Sequence, residues 1–338
     1  MIRKTHHTPV YREVIREALA AAWHDKRLWI LAFLASALTT AGVYDVLWSA
    51  VTNISNQGSR LAASFGGIVI QATTVRDGTT LTQILRVIAN IEVLLVIALL
   101  VLVVGALSCI GQGGLVYAIG ARKRGRKPTL TESFSVGAKA LWPVIALNVL
   151  ALGTIWLLKF LGSLPLYFAI ENPSSATYFA HIGSFIVSLL LMFIVIIVEI
   201  FALNALILQG AHLEDALKRG WDLFRKNWIV VVETAILQLF LASVIWFLFT
   251  VAFTMALLPI FIFLVTALTI DSAGFLAASG ALGLLLFVGG FFTLAAFTIH
   301  FQFATWTLLF RRLGEGGVVP KLHRMLRSAT GSTSIKQS

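Results

Sequence analysis

Long apolar runs alternate along the chain with short polar segments. A membrane helix needs about 20 apolar residues, because the hydrocarbon core is about 30 Å thick and a helix rises about 1.5 Å per residue. By this criterion the sequence predicts six transmembrane helices, at residues 28–48, 91–119, 142–164, 182–209, 229–258 and 273–310. The first run starts too late and is too long for an ordinary cleavable signal peptide, so we expect it to be retained as a span.

Three of these runs are preceded by a polar segment with helical periodicity. In residues 210–228, charged residues recur every fourth position opposite an apolar stripe. Residues 10–22 repeat this pattern, and so do residues 129–142, where Thr129 and Glu132 predict a capping box. The pattern predicts three cytoplasmic interfacial amphipathic helices, each leading into a hairpin of two spans. The predicted fold class is therefore an all-α, polytopic membrane helix bundle. Tryptophans at the membrane interface are its predicted anchors: Trp29, Trp142, Trp221 and Trp228.

Basic residues predict the orientation of this bundle. Of the 26 lysines and arginines, 22 fall in the N-terminal segment, in the second and third amphipathic segments or in the C-terminal tail. The positive-inside rule then places both termini in the cytoplasm. The predicted organisation is a cytoplasmic N-terminal helix at 1–27, a six-span domain at 28–310 with an extracytoplasmic loop at 49–90, and a basic tail at 311–338.

The same basic residues account for the net charge of +11. We expect them to attract anionic lipid head groups at the cytoplasmic face of a plasma membrane, the inner membrane in a bacterium or archaeon. Aromatic residues are not interleaved with bases as in single-strand binders, which argues against nucleic-acid binding. A membrane-protein partner or a homo-oligomer remains open.

Composition predicts a membrane protein, and the motifs that would indicate catalysis are missing. Hydrophobic residues make up 58% of the chain and charged residues 12%, against roughly 25% charged residues in soluble domains. The single cysteine, Cys109, excludes an intramolecular disulfide or a multi-cysteine metal site. The sequence contains no nucleophile elbow, His-Glu-x-x-His motif or Walker loop. We therefore expect no enzymatic activity, no metal and no cofactor.

Polar residues inside predicted spans are the candidate functional site, because ionisable groups in a membrane are costly. Counting residues from the cytoplasmic side places Glu199, Gln238, His300 and Gln302 near the middle of the membrane, and Asn148, Asn204 and Glu233 nearer the cytoplasm. Glu199 and His300 could form a proton- or ion-responsive pair. Alternatively, these residues are interhelical hydrogen-bonding groups without a transport role. Asp45 and Lys159 are a candidate ion pair at the outer edge.

The last third of the chain has apolar runs longer than one span. Residues 229–270 would form a helix of about 63 Å, roughly twice the hydrocarbon thickness. We expect an interruption near Pro259, giving either a kinked helix or a re-entrant piece on the outer side. The final run also contains Gly289 and Gly290, and such interruptions occur both in transporter binding sites and in ordinary packed spans.

Residues 207–241 resemble a pattern in several six-span prokaryotic membrane families. The pattern is Ala-Leu, a base, a small residue, Trp, Leu, a base and Trp, here at Ala216-Leu217, Arg219-Gly220-Trp221, Leu223, Lys226 and Trp228. The best named example is the membrane domain of the glycerophosphoryl diester phosphodiesterase family. The resemblance implies a six-helix membrane module. It implies no phosphodiesterase activity, because that family's catalysis resides in a separate soluble domain.

Two functions are compatible with these features. The favoured one is a non-enzymatic integral membrane protein that acts as a lipid-associated scaffold or partner subunit. The alternative is a transporter for a small solute, an ion or a lipid that uses the mid-membrane polar residues. A water-filled cavity reaching Glu199 would favour transport, and a dry bundle would favour scaffolding.

Overall fold

The computed structural model describes residues 10–36, 81–171, 174–270 and 272–315, and these ranges contain helices and turns but no β-strand. The predicted all-α class is confirmed for this part of the chain. The elements are α1 (Val10–His24), a 3₁₀ turn (Lys26–Leu28), α2 (Trp29–Ser36), α3 (Leu81–Lys123), α4 (Leu130–Lys139), α5 (Leu141–Glu171), α6 (Ser175–Gln209), α7 (Leu213–Thr269) and α8 (Ala273–Glu315).

Five helices have segments long and apolar enough to cross a membrane. They are Ala98–Lys123 of α3, Leu141–Tyr167 of α5, and the whole of α6, α7 and α8. The chain is therefore a multi-pass membrane protein. The predicted first span is described only as far as Ser36, and most of loop 49–90 and of the tail lies outside the described residues. Residues 81–90 of that predicted loop are the start of α3.

A backbone break follows each of the three short polar segments. The 3₁₀ turn Lys26–Leu28 separates α1 from α2. Ala140, with φ −93° and ψ 8°, separates α4 from α5, and Asn227, with φ −129° and ψ 24°, interrupts α7 just before Trp228. At the start of α4, the backbone N–H of Glu132 donates to the Thr129 hydroxyl over 3.1 Å, as the capping box predicts. The Glu132 carboxylate accepts a hydrogen bond from the Tyr117 hydroxyl over 2.6 Å.

The apolar stripes of these segments contact neighbouring helices. A Cβ atom on Gly137 of α4 would overlap the carbonyl oxygen of Ile110 in α3. A Cβ atom on Gly220 of α7 would lie 2.7 Å from the carbonyl oxygen of Val198 in α6. In both cases only glycine allows the two backbones to approach so closely. The helix α1 packs against α8 and buries Val14, Ala18 and Ala22.

The chain divides into two compact units. The first comprises Met1–Ser36, Cys109–Gly153 and Ile197–Ser338, and the second comprises Ala37–Ser108 and Thr154–Ile196. In the second unit α5 and α6 approach closely at Gly162, whose carbonyl oxygen accepts a hydrogen bond from the Ser184 hydroxyl over 2.9 Å. In the first unit α7 and α8 form a hairpin that ends at the turn after Thr269.

The helix α7 continues through Pro259, where the sequence analysis expected an interruption. Within α7 only Asn227 has non-helical dihedral angles, and the helix passes through Pro259 to Thr269. The two helices are joined along a narrow seam, where the Phe253 and Phe287 rings have centroids 6.1 Å apart. A proline removes one backbone hydrogen bond, but a packed neighbouring helix allows a membrane helix to continue through it.

Candidate functional site

The seven candidate polar residues all belong to the first compact unit. They lie on α5, α6, α7 and α8. Four of them, Asn148, Asn204, Gln238 and His300, are buried by protein, and the other three are half-buried. The structure joins one of the candidates to a residue that sequence analysis had not selected.

That residue is Gln112, which pairs with Asn148. The Asn148 side-chain amide donates to the Gln112 carbonyl oxygen over 2.9 Å, and the Gln112 amide donates back over 3.3 Å. Asn148 also donates to the Val144 backbone carbonyl over 2.8 Å. Both side chains are buried. A reciprocal amide pair of this kind satisfies polar groups inside a bundle and links α3 to α5.

Gln112 lies in the sequence Gly111-Gln112-Gly113-Gly114, whose glycines bring other helices close. A Cβ atom on Gly111 would lie 2.7 Å from the Ala35 amide nitrogen of α2. One on Gly114 would lie 2.7 Å from the Ser133 carbonyl oxygen of α4. In the sequence, the feature that could have indicated this contact between helices is a polar residue, Gln112, flanked by glycines inside an apolar run.

Glu199 and His300 are not joined by a hydrogen bond or an ion pair in the described part of the chain. His300 is completely buried, and neither ring nitrogen has a hydrogen-bond partner there. The charged group in its electrostatic range is the Arg122 guanidinium. Glu199 is half-buried, and its carboxylate lies within electrostatic range of the buried Cys109 thiol. A proton- or ion-responsive pair of Glu199 and His300 therefore stays a prediction.

The remaining candidates are mostly enclosed as well. The Asn204 side-chain amide donates to the Ile200 carbonyl of its own helix over 2.8 Å. Gln238 is buried, whereas Glu233 and Gln302 are half-buried. Among the candidates and their neighbours, Gln112 and Asn148 form a pair between the side chains of two helices.

The predicted outer ion pair is only half described. Lys159 is half-buried in the second unit, with its Nζ 5.9 Å from the centroid of the Trp156 ring. Asp45 lies outside the described residues. The contact between a cation and the face of a tryptophan ring is favourable. The Trp156 ring is therefore a stabilising neighbour of the Lys159 ammonium group.

The predicted tryptophan anchors have two environments. Trp142, near the start of α5, Trp221, before the break at Asn227, and Trp228, just after it, are exposed. Trp29 is half-buried, and its indole Nε1 donates to the Ala22 carbonyl over 2.8 Å. Their role as interfacial anchors stays a prediction.

An ion-pair cluster that sequence analysis did not identify holds α1 in place. The Arg312 guanidinium donates to Glu13 over 2.7 Å and to Glu17 over 3.1 Å. Lys123 also pairs with Glu17, over 2.7 Å. Asp25 pairs with Arg122 of α3. These charges join the start of the chain to the ends of α3 and α8.

The described residues contain no group of three or more His, Cys, Asp or Glu side chains that could hold a metal ion. No known protein family, curated protein or solved structure matches the chain. The resemblance of residues 207–241 to the membrane domain of the phosphodiesterase family therefore stays a prediction.

Proposed function

We propose that the chain is a six-span, non-enzymatic protein of the plasma membrane that acts as a lipid-associated scaffold or partner subunit. In this proposal each of three hairpins is preceded by a cytoplasmic interfacial helix, and both termini are cytoplasmic. The backbone breaks at the 3₁₀ turn, Ala140 and Asn227 support this division. The distribution of basic residues supports the orientation. The six-helix module suggested by residues 207–241 is part of the same proposal.

The enclosure of the polar residues carries the proposal. Four of the seven candidates, Asn148, Asn204, Gln238 and His300, expose only 5%, 1%, 4% and 0% of their surface. A transport path needs side chains that water or a solute reaches in at least one state. Buried amides that pair across helices are the usual arrangement of structural polar groups in a membrane bundle.

The apolar surface of the α7–α8 hairpin is the proposed working surface. Large side chains are exposed along both helices, among them Phe247, Phe261 and Leu285. Lipid tails or the apolar helix of a partner would both cover this surface. A protein without a catalytic centre or an open path would act through such a surface.

Photo-crosslinking in native membranes tests the proposal. Benzophenone side chains are placed at Phe247, Phe261 and Leu285, with the buried Leu294 as the matched control on α8. We expect lipid adducts, or one protein adduct of constant mass, at the three exposed positions and no such adduct at Leu294. Solute-dependent flux by the purified protein in proteoliposomes would contradict the proposal.

A transporter remains the second candidate because of polar atoms that lack partners. In the described residues these include both His300 ring nitrogens and the side-chain oxygens of Asn204, Thr298 and Thr307. Such atoms are usually satisfied by bound water. If that water belongs to a transport path, Glu199→Gln should abolish pH-dependent flux while the protein is extracted at normal yield. If the residues have a structural role, the same substitution should change thermal stability only modestly.

A further inference from the structure

The lengths of α7 and α8 exceed the thickness of a bilayer. The helix α8 contains 43 residues. At about 1.5 Å per residue it is about 64 Å long, roughly twice a hydrocarbon core of about 30 Å. The part of α7 after Asn227 is similarly long, about 63 Å. Since the sequence has a charged residue, Asp271, between α7 and α8, one end of the hydrocarbon lies near the turn that joins them. The other end must lie well inside both helices.

The exposed apolar surface of α8 ends partway along the helix. Among the described residues its exposed large apolar side chains run from Phe275 to Phe291, and none occurs between there and Glu315. The large apolar side chains of the remaining part are buried or half-buried, and Phe301 and Leu309 are among the buried ones. Lipid therefore has a large apolar surface to contact only on the first part of α8.

An aromatic and basic girdle lies next to the position where this surface ends. The rings of Trp23 and Trp29 meet the Phe297 ring edge-on, with centroids 6.0 and 6.3 Å away. Lys26 places its Nζ 5.8 Å from the centroid of the Trp23 ring. Trp23, Lys26 and Arg27 are exposed. Tryptophan with lysine or arginine is the combination that membrane proteins place at the head-group layer.

Because α7 and α8 are antiparallel, contacts between them show which residue of α7 lies at the same depth as Phe297 of α8. Phe287 contacts Phe253, so Phe297, ten residues later, lies opposite about residue 243. Gly283 contacts Ile260, and the same count from this pair gives about residue 246. From there to Thr269, α7 measures about 35–39 Å, and from Ala273 to Phe297, α8 measures about 36 Å. A tilt of about 30–40° fits these lengths to the hydrocarbon, within the ordinary range for spans.

The geometry points to the girdle of Trp23, Lys26, Trp29 and Phe297 as the surface that meets the lipid head groups of the cytoplasmic leaflet. The hydrocarbon then extends only from the girdle to the α7–α8 turn. The remaining ends of α7 and α8, together with α1, form a membrane-proximal bundle outside it. His300, three residues beyond Phe297, lies at that boundary rather than in mid-membrane.

The charged face of α1 supports this placement. Glu13 and Glu17 of α1 bind Arg312, while Trp23 contacts Phe297, so α1 extends beside this part of α8. Arg12 and Arg16 on the same helix are exposed. Were this level of α8 inside the hydrocarbon, those two side chains would face lipid tails, which is costly. Outside the hydrocarbon they face water and head groups.

Spin labels along α7 test the inference, which rests on the proposed membrane crossing. Single cysteines are placed in a Cys109→Ala background at the exposed positions Ile236, Phe240, Phe247, Met255, Phe261 and Leu268. In liposomes, collision with oxygen increases with depth, and collision with a water-soluble nickel chelate decreases. We expect the greatest depth between Met255 and Phe261, with Ile236 and Phe240 accessible to nickel.

The outcomes separate this inference from the proposed function. A greatest depth between Phe240 and Phe247, with Ile236 protected from nickel, would overturn the placement and leave the membrane crossing intact. The absence of a depth maximum anywhere on α7 would overturn both. A label at Trp23 should report the head-group layer, and full nickel accessibility there, as in bulk water, would overturn the girdle.

Discussion

Two parts of the first compact unit bury apolar surface in different ways. At the packed end, defined as residues 109–153, 197–243 and 294–315, helices touch through glycines and enclose polar side chains. Along the apolar arm, defined as residues 244–291, α7 and α8 meet only at a seam, and most large side chains stay exposed. Burial by neighbouring protein requires small residues and paired polar groups, whereas burial by lipid requires only an apolar surface.

The largest expected difference in stability is between glycine substitutions in the packed end and in the apolar arm. Gly137→Leu would force a side chain into the α3 backbone at Ile110, so we expect destabilisation of about 3 kcal/mol or more from overpacking. Gly289→Leu in the apolar arm, where a Cβ atom would meet nothing within 4 Å, is the matched control. Thermal unfolding in detergent should show a large loss for the first variant and little change for the second. Equal losses would remove the distinction between the parts.

Breaking the amide pair of the packed end should have the next largest effect. Gln112→Ala leaves the buried Asn148 side chain without its partner, which we expect to cost about 1–3 kcal/mol. Removing both amides, as in the double variant with Asn148→Leu, should cost less than the sum of the single changes. Thr250→Ala in the apolar arm, where the hydroxyl bonds only its own helix, should be nearly neutral. Additive losses in the double variant would show that the pair is not energetically coupled.

The first part of α7 sharpens the comparison at the packed end. Replacing Trp221 and Phe224, whose ring centroids lie 6.1 Å apart, by serine should weaken the stability of the bundle, because it removes two large apolar side chains from this segment. We expect the free energy of unfolding to fall by about 1–2 kcal/mol, a fraction of the free energy of burying two large apolar side chains, because both are only partly buried. Exchanging Lys218 and Asp222 should matter less, because ion pairs between fully exposed side chains contribute little to stability. Thermal unfolding in lipid nanodiscs measures both, and the reverse order would indicate a partner bound to the charged face.

The periodicity of the sequence predicted where helices lie better than it predicted which residues each helix contacts. Residues 210–228 were expected to be a helix before a span, and the break at Asn227 lies next to the predicted start of that span at 229. Helical periodicity does not reveal whether the apolar stripe of this segment faces lipid or another helix. Gly220, for example, is compatible with either surrounding. Long-range pairs are also invisible to it, since Arg312 and Glu13 are 299 positions apart.

The polar residues show the same limit. Depth counted from the ends of apolar runs placed Glu199 and His300 at one level, but counting does not give the direction of a side chain. Gln112 escaped notice because it lies among glycines near the end of a long apolar run. Pro259 suggested an interruption, yet the helix continues through it, and the next residue, Ile260, packs against α8 at Gly283. Tertiary contacts decide each of these features, and a linear pattern does not encode them.

Cysteine accessibility of the enclosed residues tests most directly whether the polar side chains are structural or line a path. Single cysteines replace Asn204, Gln238 and His300 in a Cys109→Ala background, with Gly125→Cys in the exposed turn after α3 as the positive control. Inside-out membrane vesicles are treated with a membrane-impermeant thiol reagent, and denatured samples give the maximum labelling. We predict rapid labelling at Gly125 and none at the three enclosed positions. Labelling of His300→Cys or Gln238→Cys at a rate comparable to Gly125→Cys, in a variant that remains folded, would show that water reaches the polar side chains and would contradict the scaffold account.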